Sequence, residues 1–189
     1  MAFEDFKTKE AVVVVFTGEG KGKTSASLGL LVRALGAGWH VAYIQFIKNW
    51  QVNEHKFIEK IQPVLGDHLM FYEGGKGFYN AGNLSAKGVT KKEHKRNAQD
   101  TFAKAMDAVT GGKYDLVICD EINNAVHGGL LEETQLAELI EDRSPKTSLC
   151  LTGRDFPAKL LPLVDIATDM KKIKHHFDYK FLANNGIDY

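Results

Sequence analysis

The sequence predicts an α/β domain with a mostly parallel sheet flanked by helices, and three observations predict it. Short apolar runs alternate with segments of helical periodicity from end to end of the chain. The first run, AVVVVF at 11–16, is β-branched and apolar at almost every position, as a strand buried on both faces must be. A glycine-rich turn then leads straight into the first helical segment. Strands separated by helical crossovers pair in parallel through right-handed connections. Ligands of such sheets sit at the carboxyl ends of the strands, which directs attention to the residues just after Phe16, Ile47, Cys119 and Leu151.

The elements follow in order. After the strand at 11–16, a helix is expected over 24–35, with Leu28, Leu31, Val32 and Leu35 on one face at i, i+3, i+4 and i+7. Gly36 and Gly38 end it. The run VAYIQFI at 41–47 is the second strand, 53–60 a polar helical stretch, and 69–72 a short strand. Residues 73–89 hold five of the chain's 18 glycines and read as a long loop; loops of that length in compact domains are usually functional. Thr90-Lys91-Lys92-Glu93 has the form of a capping box, opening a helix whose buried stripe is Ala98, Phe102, Ala105, Met106 and Val109. Gly111 and Gly112 close it. A strand at 114–119, a helix at 131–141, a strand at 147–151, a short helix at 156–164 and a last strand at 166–170 complete the pattern before a basic tail.

At 189 residues the chain suits one domain spanning 1–189, with no internal repeat or linker. Hydrophobic residues at 44% and charged at 25% exclude a disordered chain. No apolar run approaches a membrane span, and the opening MAFEDFKTKE lacks the core of a signal peptide. Lys+Arg and Asp+Glu balance at 24 each, which removes the electrostatic footprint of a nonspecific nucleic-acid binder. Cys119 and Cys150 lie inside apolar runs and read as a reduced, buried pair. The expectation is a cytoplasmic protein with no membrane or nucleic-acid partner.

The turn after the first strand is Thr17-Gly18-Glu19-Gly20-Lys21-Gly22-Lys23-Thr24, the phosphate-loop pattern G-x-x-x-x-G-K-[ST] with Thr17 in place of the first glycine. Glycines let successive backbone N–H groups turn toward phosphate oxygens, and the helix N-terminus adds partial positive charge. Lys23 can reach the outer phosphates and the Thr24 hydroxyl can hold Mg²⁺. The second motif is an apolar strand ending in Asp120-Glu121, the form of a Walker B strand whose acid positions Mg²⁺ near the loop threonine; either acid can serve. Together they predict binding of a nucleoside triphosphate. They leave ATPase, kinase, motor and transferase chemistry open.

Further stretches narrow the choice. TGEGKGKT, then Gln45-Phe46-Ile47-Lys48, then Asp120-Glu121 with its strand, then Thr152-Gly153-Arg154 and an ending with Lys174-His175, Phe177-Asp178 and Gly186-Ile187-Asp188-Tyr189 resemble, in this order, the ATP:corrinoid adenosyltransferases of the bacterial cobalamin pathway. The resemblance runs from residue 12 to the last residue. It implies a RecA-like P-loop fold and a reaction in which the Co(I) of a reduced corrinoid attacks the 5′ carbon of ATP and releases triphosphate. Cobalt(I) has no proton to lose, so no general base is needed. The enzyme must align the reacting atoms and neutralise the departing triphosphate.

The resemblance further implies that ATP lies across Thr17, Gly18, Glu19, Gly20, Lys21, Gly22, Lys23 and Thr24 in reverse of the usual sense, exposing C5′. Lys23 and Glu121 would serve catalysis; Thr24, Asp120 and Glu121 would hold Mg²⁺; Gln45, Lys48 and Arg154 would face the ligands. A Phe-x-Trp pair of the family fills the space below the corrin and displaces its lower ligand. Here Phe78 keeps the first position and Asn80 stands where the Trp would be, with Tyr79 between them. Ten residues precede the first strand, fewer than in members whose N-terminal segment covers the corrinoid, so the cover is absent or comes from another part of a dimer. The implied partners are ATP, a cobalamin or cobinamide-type corrinoid, a flavin-type reductase and a second copy of the chain.

Two other features read blandly. Lys87, Lys91, Lys92, Lys95 and Arg96 form a solvated helix start, and the adjacent His175 and His176 are expected to point apart. Two rivals to the transferase remain: an ATPase of the same fold using Glu121 to activate water, which would yield ADP and phosphate, and a nucleotide-gated corrinoid carrier that binds without reaction.

Overall fold

The structure is a computed structural model describing residues 6–47, 52–75, 77 and 88–189. Six strands, β1 (Val13–Thr17), β2 (Val41–Gln45), β3 (Leu69–Glu73), β4 (Leu116–Asp120), β5 (Ser148–Thr152) and β6 (Ile166–Asp169), form one sheet in the order β3-β2-β4-β5-β1-β6. Every neighbouring pair is parallel. The helices are α1 (Lys23–Gly36), α2 (Asn53–Leu65), α3 (Lys91–Thr110), α4 (Ile122–His127) and α5 (Glu133–Glu141). The predicted α/β architecture is the observed one.

The sheet is buried on both faces, which is why its strands are apolar at consecutive positions. Val13, Val15, Ala42, Ile44, Val117 and Cys119 pack beneath α3 and α5, while Val41, Tyr43, Leu116, Ile118 and Cys150 face α1 and α2. Cys119 and Cys150 therefore lie on opposite faces of the sheet and stay free. Burial pushes both thiols well above their ordinary range, and the Asp120 charge adds to it. Both are inert, structural cysteines.

Several elements depart from the sequence reading. On α1 the buried positions are Ser27, Leu31 and Ala34, and Val32 is 61% exposed, so the face is rotated from the expected one. The small Ser27 and Ala34 let α1 lie close to the sheet, which the apolar periodicity alone does not register. Helix α2 runs past Lys60 to Leu65, because Pro63 falls in its last turn and removes only one hydrogen bond there. At 158–163 a 3₁₀ helix replaces the expected α-helix, with Pro157 before it and Pro162 within it. Helix α3 opens with the predicted box: Glu93 N–H donates to Thr90 Oγ1 (3.2 Å) and Thr90 N–H to Glu93 Oε2 (2.8 Å). Its stripe is buried as expected except Met106, which is only partly covered. Lys91, Lys92, Lys95 and Arg96 are exposed, the solvated start that was expected. Among the described residues, no helix is long and apolar enough to cross a membrane.

Candidate functional site

Parallel pairing brings the carboxyl ends of five strands into one row: Glu73, Gln45, Asp120, Thr152 and Thr17, from β3, β2, β4, β5 and β1. Gln45 is in register with both Glu73 and Asp120. Strand β5 stands between β1 and β4, so Thr152 fills the gap between the phosphate loop and the acid.

The loop from Gly18 to Gly22 carries left-handed backbone at its two ends, with φ of 98° at Gly18 and 105° at Gly22. Only glycine adopts these angles without strain. Gly22 is also the N-cap of α1, and no side chain caps that helix, so its first N–H groups face the loop. Gly20 lies against the chain after β6: its N–H donates to Met170 C=O (2.5 Å), and a Cβ there would meet the same oxygen at 2.5 Å. Lys23 Nζ curls into the loop and donates to the carbonyls of Gly18 (2.5 Å) and Gly20 (2.7 Å). Burial pushes the Lys23 amine below its ordinary range, and the nearby charges of Arg154 and Lys21 push it the same way, against Glu19 and Glu121. Lys21, Lys23 and Arg154 thus share one neighbourhood at the loop with Glu19 and Glu121. The Thr17 hydroxyl accepts from Phe156 N–H (3.1 Å) and ties the loop's root to the turn after β5.

Asp120 is fully buried and accepts from three donors. Thr152 Oγ1 donates to Oδ1 (2.7 Å), and Gln45 Nε2 (3.0 Å) and Thr24 Oγ1 (3.3 Å) donate to Oδ2. The loop threonine and the strand-end acid are thus neighbours, as the two motifs predicted. Glu121 follows with φ of 63°, an unusual angle for a residue with a side chain, and its N–H donates to Thr152 Oγ1 (2.9 Å). That turn starts α4, a helix of six residues with no side-chain cap, absent from the sequence reading.

Glu121, Lys21, Lys23, Thr24 and Arg154 line the polar end of an open cavity of about 1000 Å³, and Leu28, Val32, Ile47 and Phe57 line an apolar flank. Arg154 is held from both sides, by an ion pair with Glu19 (3.4 Å) and by its backbone N–H donating to Asn124 Oδ1 (2.7 Å). Gln45, expected at the ligand edge, is instead fully buried with its amide spent on Asp120 and on His55. Lys48 and Phe78, with Tyr79, Asn80 and Lys87, lie outside the described residues.

The chain's end forms another wall. Gly186, Ile187, Asp188 and Tyr189 line the cavity. Asp188 pairs with Lys21 (2.8 Å), and Asn53 Nδ2 donates to Tyr189 C=O (2.6 Å). The hydrogen bond from Lys21, then that from Asn184 N–H, holds the Asp188 carboxyl down at about 2. The two adjacent histidines do not point apart: their rings meet edge to face with centroids 4.7 Å apart. A 3₁₀ turn beginning at His176 curls the chain there, and His175 Nδ1 caps it by accepting from Phe177 N–H (3.0 Å).

Residues 9–189 match the model of the family described as ATP:corrinoid adenosyltransferase BtuR/CobO/CobP. A corrinoid adenosyltransferase of Sinorhizobium is 31% identical over 97% of this chain and 83% of its own length. The corrinoid adenosyltransferase CobA of Salmonella typhimurium is 30% identical, over 96% of this chain and 87% of its own. That of Escherichia coli K12 is 28% identical, with the same coverage of both chains. Among solved structures, the flagellar accessory protein FlaH of Methanocaldococcus jannaschii superposes with a TM-score of 0.54 at 13% identity, over 85% of this chain and 71% of that one. At that identity the likeness concerns the fold alone.

Proposed function

This chain belongs to the ATP:corrinoid adenosyltransferase family, and from that premise we propose how its residues carry out the transfer. It is a transferase that adenosylates a corrinoid. The bond formed joins cobalt to C5′ of ATP, and the bond broken is C5′–O5′, whose electron pair leaves with the triphosphate. The observation that carries this reading is the cluster of Lys21, Lys23 and Arg154 around the phosphate loop beside Asp120. It supplies positive charge for a departing polyanion, and the reaction needs no base to remove a proton.

Thr24 and Asp120 hold a hydroxyl and a carboxylate oxygen 3.3 Å apart, and Glu121, next in the chain, lines the same cavity as Thr24; these oxygens are a hard donor set that fits Mg²⁺. When bound there, the ion would neutralise triphosphate charge. Lys23 in this reading leaves the loop carbonyls for phosphate oxygens, and Arg154 closes from the β5 side. ATP lies reversed across the loop, with C5′ toward the corrinoid. By the family resemblance, Phe78 would fill the space below the corrin and Lys48 would face the ligand edge. Glu121 is a metal or outer ligand rather than a hydrolytic base. The whole chain acts as one domain, in the cytoplasm, as a homodimer supplied with Co(I) by a flavin-type reductase. Exposed apolar side chains in the tail, among them Ile173, Phe177 and Leu182, support a partner subunit.

Anaerobic incubation with Mg-ATP and chemically reduced cob(I)alamin is expected to give a light-sensitive alkylcobalt spectrum and triphosphate. ADP and phosphate as products would overturn the transfer in favour of hydrolysis; tight binding of both ligands with no product would favour a carrier. Phe78→Ala is expected to slow turnover on cobalamin more than on cobinamide, which has no lower nucleotide base to displace. Equal losses on the two corrinoids would remove that role.

A further inference from the structure

His55 is a buried titratable side chain that the proposed chemistry does not use. It sits in the first turn of α2, 2% exposed, with its ring against Phe71 at a centroid distance of 5.3 Å. Its Nε2 lies 2.6 Å from Gln45 Oε1, and its Nδ1 faces Glu73 Oε2 at 3.7 Å. Gln45 in turn reaches Asp120 with the other end of its amide.

The chemistry of the partners orients this chain of contacts. An ionised Asp120 can only accept, so Gln45 must turn its NH₂ toward it. The amide oxygen is then left facing His55, and Nε2 must carry the hydrogen that satisfies it. Reversing the amide would set Oε1 against Asp120 Oδ2, two acceptors at hydrogen-bond distance between fully buried side chains. Asp120 thus sets the amide orientation, and a hydrogen on His55 Nε2 secures it by pairing the amide oxygen that would otherwise be buried without a donor. Nothing else described in the structure bonds to Gln45 Oε1.

We infer that His55 is a positioning residue which, through Gln45, fixes the Asp120 carboxylate toward Thr24 for Mg²⁺-nucleotide binding. This rests on the reading above that Thr24 and Asp120 hold Mg²⁺. His55 touches neither nucleotide nor corrinoid in that reading; it acts from behind, as the outer partner of a metal-holding group.

The test is Mg²⁺ titration of the binding of a fluorescent ATP analogue, with no corrinoid present. His55→Phe keeps a ring against Phe71 and removes the N–H. It is expected to raise the Mg²⁺ concentration for half-maximal binding about tenfold, at the lower end of what losing an outer partner costs. Binding in EDTA is expected to stay as in the wild type. His55→Gln, whose amide N–H₂ can take the place of Nε2–H, is expected to restore the wild-type Mg²⁺ dependence. Gln45→Met breaks the same relay at its middle, so it is expected to show the same shift, with no further shift when His55→Phe is added. That second variant keeps the inference testable should His55→Phe fold poorly.

An unchanged Mg²⁺ dependence in both His55→Phe and Gln45→Met would overturn the inference. So would equal shifts in His55→Phe and His55→Gln with matching losses of melting temperature, which would mark a packing role. If wild-type binding itself were indifferent to Mg²⁺, the metal reading would fall and this inference with it, and the wild-type titration alone distinguishes that case.

Discussion

Lys23→Ala is expected to cut the rate of triphosphate formation by on the order of 10²–10³-fold, the usual loss when one preorganised charge donor to a developing oxyanion is removed. Its amine is already inside the loop, bonded to the Gly18 and Gly20 carbonyls, so it needs only a local rotation to meet a phosphate. Burial first, and the Arg154 charge second, disfavour its ammonium form there, against the Glu19 and Glu121 carboxylates. An arriving polyanion relieves that cost, and more charge on the leaving oxygen relieves it further. The substitution removes two part-buried hydrogen bonds to loop carbonyls, so stability is expected to fall by about 1–3 kcal/mol, with the chain still folded. A folded protein whose melting temperature falls by only several degrees while turnover is lost is therefore the expected pair of results. Retention of activity within about tenfold of wild type, a difference of only about 1.4 kcal/mol in barrier, would remove Lys23 from the transfer step.

The sequence made the loop and the acid legible because their chemistry demands particular residues at fixed spacing. Gly18 and Gly22 need positive φ, Lys23 and Thr24 must open the helix, and Asp120 must end an apolar strand. The alternation of apolar runs made the sheet legible as well. The order of its strands was not, because order depends on which crossovers skip over which neighbours. That order alone makes Thr152 and Gln45 partners of Asp120, and it brings Glu73 to the same row. His55 was invisible for a related reason. A histidine in a polar helix start carries no periodic signal, and only the packing of α2 on Phe71 turns it inward. Helix α4 was hidden by its opening at a left-handed Glu121 without a capping side chain. The turn prolines, Pro157 and Pro162, did carry a local signal for 3₁₀ rather than α geometry at 158–163.

Asp120→Asn tests the other half of the site, and its effect follows from counting donors. Thr24, Gln45 and Thr152 all point hydrogens at the carboxylate, and Asn offers one acceptor oxygen and an NH₂ in its place. If the NH₂ replaces Oδ2 it opposes the Gln45 amide, whose reversal would force His55 to change tautomer so that Nε2 accepts. If it replaces Oδ1 it opposes Thr152, whose oxygen already accepts from Glu121 N–H. Without such a rearrangement, either placement strands a buried donor at about 1–3 kcal/mol. Removing a buried negative charge relieves a desolvation cost of opposite sign. The two terms oppose each other, so the melting temperature is expected to move by only a few degrees, at roughly 2–4 °C per kcal/mol for a chain of this size. Function has no such compensation, because an amide oxygen brings no negative charge and is the weaker ligand for a hard divalent cation. Adenosylation is therefore expected to fall by at least about a hundredfold, with the Mg²⁺ dependence of nucleotide binding weakened in parallel. A folded Asp120→Asn protein with near-wild-type turnover and Mg²⁺ dependence would mean that this acid organises the strand ends without holding the ion.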